Sequence, residues 1–334
     1  MILAILGALW KVIRRDAKSL GSFSSNNFFV VAVAALFLGD PGAFLSLNVV
    51  IAVVLFFPLS TDPLRKIPAS RMALWPLSDR QRQVLRVLTP WLNPITWLLG
   101  GLALWKSVGI SVWLMVLGLF VLAFLVPAIP RGQRKGLLLR LPNIPGPLNQ
   151  LVRKNVREMV STLDFYSALV WSAAAGLLRL AGKLPAAAYL PITMIVLLAL
   201  STNALSLFGL DGRGGMTRYR LLPLPGWQIL IAKDAAFLVT IVILTAPLAP
   251  LAGLGGALVA LAVGHYDSVT RWHTEVRWRF STSASLQGSI VQILAMIASG
   301  ASVVNFSRFM LIPCIALYCA STWWYGQELD KVRA

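Results

Sequence analysis

Charge is what this sequence has least of. Only 13% of its 334 residues are Asp, Glu, Lys or Arg, about half the roughly 25% of a soluble domain. Acids are scarcer still, 12 against 30 Lys and Arg, for a net charge of +18. With 57% hydrophobic residues and a mean hydropathy of +0.75, the chain carries more apolar surface than one soluble core can hide, so the surplus must face lipid. Cysteine and histidine are nearly missing as well. Cys314 and Cys319 share the last apolar run and match neither a CxxC spacing nor a disulfide framework. His265 and His273 stand eight residues apart rather than the four that place two imidazoles on one helical turn, and there is no HExxH. No metal site is expected. No GxxxxGK[ST] occurs either: the single Gly-Lys step, Gly182-Lys183, has none of the rest of a phosphate loop. The chain is therefore not expected to bind ATP by that device, and no cofactor is expected.

What the sequence does have is long apolar runs. A spanning helix needs about 20 apolar residues, and ten stretches qualify when Pro and Gly interruptions are tolerated: 20–39, 42–59, 84–105, 109–128, 162–182, 186–209, 229–249, 251–265, 286–304 and 307–325. They pair into five hairpins. This parse puts all of the 30 Lys and Arg on one side except Lys106, Arg179, Lys183 and Arg308, an asymmetry that sets orientation by the positive-inside rule. Both termini are then cytoplasmic, and the outer turns lie around Asp40, Lys106, Lys183, Pro250 and Asn305. The basic clusters sit between spans, where they meet anionic headgroups, so nucleic acid is not the expected partner. At the N-terminus an apolar stretch, 1–10, precedes the cluster Lys11, Arg14, Arg15 and Lys18. That order is the reverse of a secretory signal, and no cleavage is expected.

Two further segments carry a helical apolar stripe beside a charged face, the mark of a helix lying in the membrane interface. In the first, Leu6, Leu9, Trp10, Ile13, Ala17 and Leu20 form the stripe. In the second, Leu148, Leu151, Val152, Val156, Met159 and Val160 do so, flanked by Arg153, Lys154, Arg157 and Glu158. Each is followed by an apolar hairpin and then by a loop with a Pro-Leu step, Pro76-Leu77-Ser78-Asp79-Arg80-Gln81 in one half and Pro223-Leu224-Pro225-Gly226-Trp227-Gln228 in the other. The order is an internal repeat. It divides the chain into a first membrane half (1–130), a Pro-rich cytoplasmic linker (131–147) and a second half (148–334) of about six spans. The predicted fold is all-α: a polytopic helical membrane protein of about ten spans with two amphipathic elbow helices.

Ionisable residues within spans are costly and mark function. Lys233, Asp234 and Asp164 lie near span ends and read as interfacial anchors. No acid, base or imidazole network is expected in mid-span, which argues against proton or sodium coupling and for an external energy source. Asn48, Asn93 and Asn203 are the remaining polar groups, expected to tie helices together. Asp211-Gly212-Arg213-Gly214-Gly215 reads as a tight cytoplasmic turn, and Pro90 and Pro94 interrupt the third span.

Residues 207–233 resemble the permease subunits of ABC-type exporters. In that family an elbow helix precedes a hairpin whose loop carries an FG-D-G pattern, a Leu-Leu-Pro step and a Lys that opens the next span. Phe208, Gly209, Asp211, Gly212, Leu221, Leu222, Pro223 and Lys233 fit it, and residues 151–269 resemble the family best. The first half is fainter, with Pro76, Leu77, Arg80, Arg82 and Arg86, and lacks the FG-D-G element. His265 stands where a Gly-Asn-x-x-Ser turn would have Asn, between Gly264 and Ser268. The resemblance implies a coupling loop, Asp211, Gly212, Arg218, Arg220, Leu222, Pro223 and Leu224, that docks on a separate nucleotide-binding ATPase subunit. Leu222, Pro223 and Leu224 would be its apolar tip and the two arginines its rim. A second coupling loop would hold Pro76, Leu77, Asp79 and Arg80. Either one chain supplies both coupling surfaces or a second permease copy does. An integral-membrane enzyme acting on lipids and a secondary transporter are the alternative readings. The bacterial inner membrane is the implied location.

Overall fold

The structure, a computed structural model, describes residues 2–16, 27, 31, 75, 77–92, 148–160, 162–211, 218–219, 221–270 and 286–333. Among them every regular element is helical and there is no strand. The helices are α1 (Ile2–Asp16), α2 (Asp79–Leu88), α3 (Asn149–Val160), α4 (Leu163–Leu180), α5 (Tyr189–Leu205), α6 (Gly226–Thr245), α7 (Pro250–Thr270), α8 (Leu286–Asn305) and α9 (Leu311–Arg333). Contacts divide the chain into two units, Met1–Gly21 with Ala32–Gly136, and Ser22–Val31 with Leu137–Ala334. The sequence repeat places residues 22–31 in the first half instead. Asn27 explains the difference: its backbone N–H donates to Thr202 Oγ1 (2.9 Å), and its amide to Ser201 Oγ (2.9 Å) and Gln292 Oε1 (2.7 Å).

In the first unit, α2 begins with a capping box. Ser78 Oγ accepts from the Gln81 N–H, and Gln81 Oε1 accepts from the Ser78 N–H, so two orphan donors are satisfied reciprocally. The amphipathic α1 turns Leu9 onto Leu77 and Leu85, with Ile2, Ile5, Leu6, Trp75 and Leu92 around them. Trp10, expected in the same stripe, is about half exposed.

The second unit is built around α7, which packs against α5, α6, α8 and α9. Small residues let it do so. At Gly264 a Cβ would stand 2.3 Å from the carbonyl oxygen of Ala204, so α7 and α5 approach backbone to backbone, as small-residue helix pairs in membranes do. Ser268, one turn further, donates to the same carbonyl (2.8 Å) and accepts from Leu207 N–H (3.3 Å), closing the open end of α5.

Among the described residues four helices are long and apolar enough to cross a membrane: Ala186–Leu205, Gly226–Thr245, Gln287–Asn305 and Arg308–Lys331. They fall on the expected spans 186–209, 229–249, 286–304 and 307–325. The expected spans 162–182 and 251–265 are helical, as α4 and α7. Spans 42–59 and 109–128, 20–39 apart from Asn27 and Val31, and 84–105 beyond Leu92, lie outside the described residues. An all-helical chain with helices of this kind is compatible with membrane integration.

Candidate functional site

The site grows from the end of α5. The chain leaves the helix at Ser206, makes a short 3-10 turn at Gly209–Asp211, and presents one carboxylate to three different elements. Asp211 Oδ2 accepts from Lys233 Nζ of α6 at 2.7 Å. Its Oδ1 accepts from Lys154 of α3 and from the Tyr219 hydroxyl (3.0 Å). The Asp211 carbonyl accepts from Arg218 (2.8 Å). Lys233 also donates to the Leu207 carbonyl (2.7 Å), and its ammonium lies 4.9 Å from the ring centre of Phe208 and 5.3 Å from that of Tyr219. Those rings meet edge to face, so the buried cation has a carboxylate, a carbonyl and two π faces as partners.

The electrostatics follow from burial. Burial alone would raise the Asp211 carboxyl, but the Lys233 charge and the lysine hydrogen bonds outweigh it and hold the group below the usual carboxylate range. Glu158 on α3 is 3.4 Å from Lys154. Burial and the neighbouring Asp211 push it above its usual value. Burial and Asp211 also push the Tyr219 phenol far up, so it remains a neutral donor.

Of the eight residues that fit the family pattern, Phe208, Asp211 and Lys233 meet at one centre, and Lys154 of the amphipathic α3 joins them. In the sequence this lysine reads only as part of a charged face. Its partner could not be read from its own neighbourhood, 57 residues away in the chain. Arg153 is half-buried and Arg157 exposed on the same helix. Beyond Tyr219 the chain makes an exposed turn: Leu221, Leu222 and Pro223 face outward and Leu224 is half-buried. Trp227 adds an exposed ring at the start of α6. That start is anchored: Asp330 of α9 accepts from the Gly226 N–H (2.8 Å), and a Cβ on Gly226 would meet the Gly326 carbonyl at 2.3 Å. Gly212 and Arg220 lie outside the described residues. In the first unit Pro76 does too, Asp79 and Arg80 are exposed, and Leu77 is sealed against α1 and offers no apolar tip.

Two sequence expectations fail together. Lys233, Asp234 and Asp164 are not interfacial anchors; all three are buried. Nor are the helices free of an ionisable network. Both Asp234 oxygens of α6 lie 3.2 Å from His265 Nε2 of α7, and Tyr318 of α9 donates to Asp234 Oδ2 at 3.0 Å. His265 Nδ1 is 2.9 Å from Ser321 Oγ, which itself donates to the Ala262 carbonyl (2.8 Å). Asp234 and His265 are fully enclosed. Nothing in the sequence signals this pair, because its members are 31 residues apart on different helices. The arrangement resembles a Ser-His-Asp line, but the one hydroxyl proton of Ser321 is committed to Ala262. It acts as a tie among α6, α7 and α9. Among the described residues no group of three or more His, Cys, Asp or Glu could hold a metal ion.

Compared with family models, with curated proteins and with solved structures, the chain matches none. What fold and site define is a class: an all-helical chain with apolar helices of membrane-crossing length and a buried ionic centre at one end of them.

Proposed function

We propose that the chain is the transmembrane permease subunit of an ATP-driven exporter, worked by a separate ATPase. One observation carries this reading: the single carboxylate of Asp211 ties the loop, the amphipathic α3 and the apolar α6 together. A push on the exposed turn at Leu221–Leu222 would reach α6 through a rigid, buried ion pair rather than dissipate in a loose loop, the kind of two-state mechanical link that alternating access needs. The chain carries no phosphate loop, so hydrolysis falls to the partner. The bilayer and that ATPase are its expected partners.

The test uses the tagged full chain purified from native membranes. ATPase activity should co-purify with it, be absent from the chain purified alone, and disappear from the preparation when Leu221→Asp and Leu222→Asp are combined. ATP hydrolysis by the isolated polypeptide would refute the reading.

A second reading, a secondary transporter, gains support from the Asp234–His265 pair, since ionisable groups within spanning helices mark ion pathways. Proton flux through the purified chain in vesicles, without ATP and abolished by Asp234→Asn, would favour it over the first.

A further inference from the structure

Between α6 and α9 lies a groove of about 430 Å³, within the ~300 to 1,000 Å³ range of small-molecule sites. It is lined by the exposed Trp227, Trp323 and Cys319, with Tyr318 and the buried Thr322 beneath them. Both tryptophans are about half exposed or more, so the groove opens outward from the helix pair and not into the bundle. The Tyr318 hydroxyl is turned inward onto Asp234, which leaves its ring facing the groove. Thr322 is 5% exposed; a small side chain there is what makes the hollow. Gln327 follows Gly326, which packs on the Trp227 backbone, so Gln327 and Trp227 mark the end of the groove where α6 begins.

Length decides the occupant. From Gln327 to Tyr318 is nine residues of helix, about 13.5 Å at 1.5 Å per residue. That is close to half of a hydrocarbon core of roughly 30 Å, so the groove runs from the start of α6, where Gly226 meets Gly326, to about the middle of a bilayer. Tryptophan rims at one end fit the interfacial belt. We propose that this groove holds one acyl chain of a bilayer phospholipid, taken from the leaflet where α6 begins, with the ester region level with Gln327 and Trp323. The inference rests on membrane placement and not on the permease reading, and the two can fail separately.

The experiment reconstitutes the full chain in phosphatidylcholine vesicles containing a few per cent of a phosphatidylcholine with a photoactivatable acyl chain, and maps adducts by peptide mass spectrometry. Adducts should concentrate on Trp227, Ile231 and residues 318–323, several-fold above the outward-facing Ile290, Leu294 and Ile297 of α8. Thr322→Trp should remove most groove adducts and leave those on α8 unchanged, while Thr322→Val should retain them. The native chain alone suffices if the Trp variant fails to fold. Equal labelling of groove and α8 would mean ordinary annular lipid and would overturn the proposal. So would a near-complete Cys319 disulfide between two copies on mild oxidation, because a second copy would then fill the groove.

Discussion

Asp211 and Lys233 meet at 2.7 Å with side chains 1% and 3% exposed, so neither charge has water to fall back on. Removing one partner of a buried pair costs about 3–5 kcal/mol, much of it the penalty of the stranded charge. Asp211→Ala should therefore lower the thermal midpoint of the detergent-solubilised protein sharply, and Lys233→Met should do the same. Asp211→Ala combined with Lys233→Met should lose less than the sum of the two single changes. Strict additivity in that double-mutant cycle would show that the pair is not coupled.

The same centre sets a pH signature. Glu158 titrates higher in the folded protein than its ordinary 4.5, so its contribution to stability is full below that value and lost as pH rises through the folded pKa. Asp211 is held below 3.8, so its contribution is present above that value and disappears as pH falls through the folded pKa. Stability should rise slightly on acidification toward about 4.5, then fall. Glu158→Gln should flatten the first limb and leave the second. Midpoints measured against pH for both proteins test this; identical upper limbs would contradict it.

The two Pro-Leu steps should respond differently to charge. Leu77 is packed against Leu9 and Leu85, and Leu77→Asp buries an unpaired carboxylate at a cost of at least about 2 kcal/mol. Leu222 is exposed, and Leu222→Asp should change stability by no more than about 0.5 kcal/mol. Thermal unfolding of the two variants decides it. If Leu77→Asp is as silent as Leu222→Asp, the α1 contact does not stabilise the protein.

Reporter fusions placed after Asp40, Lys106, Lys183, Pro250 and Asn305 should all report the outside, given the one-sided distribution of Lys and Arg. Cytoplasmic signals at two or more would break the ten-span parse and the orientation with it.

Composition and periodicity determined the class of this protein. Apolar runs near 20 residues with few charges can satisfy their backbone in lipid only as helices, so α5, α6, α8 and α9 are legible in the sequence, as is the amphipathic α3 with its buried Val152 and Met159. The order Phe208, Asp211, Lys233 marked the loop, though not what it does. Tertiary structure alone decided the pairings. Lys154 finds Asp211, Asp234 finds His265, and Asn27 joins Gln292 across 265 residues, because helix packing brings together side chains whose separation in sequence carries no period. Burial was decided there too. Lys233 and Asp234 sit where a span begins and look like headgroup anchors, yet each has a hydrogen-bonding partner on a neighbouring element, and only that partner makes it tolerable for an ionisable group to leave water.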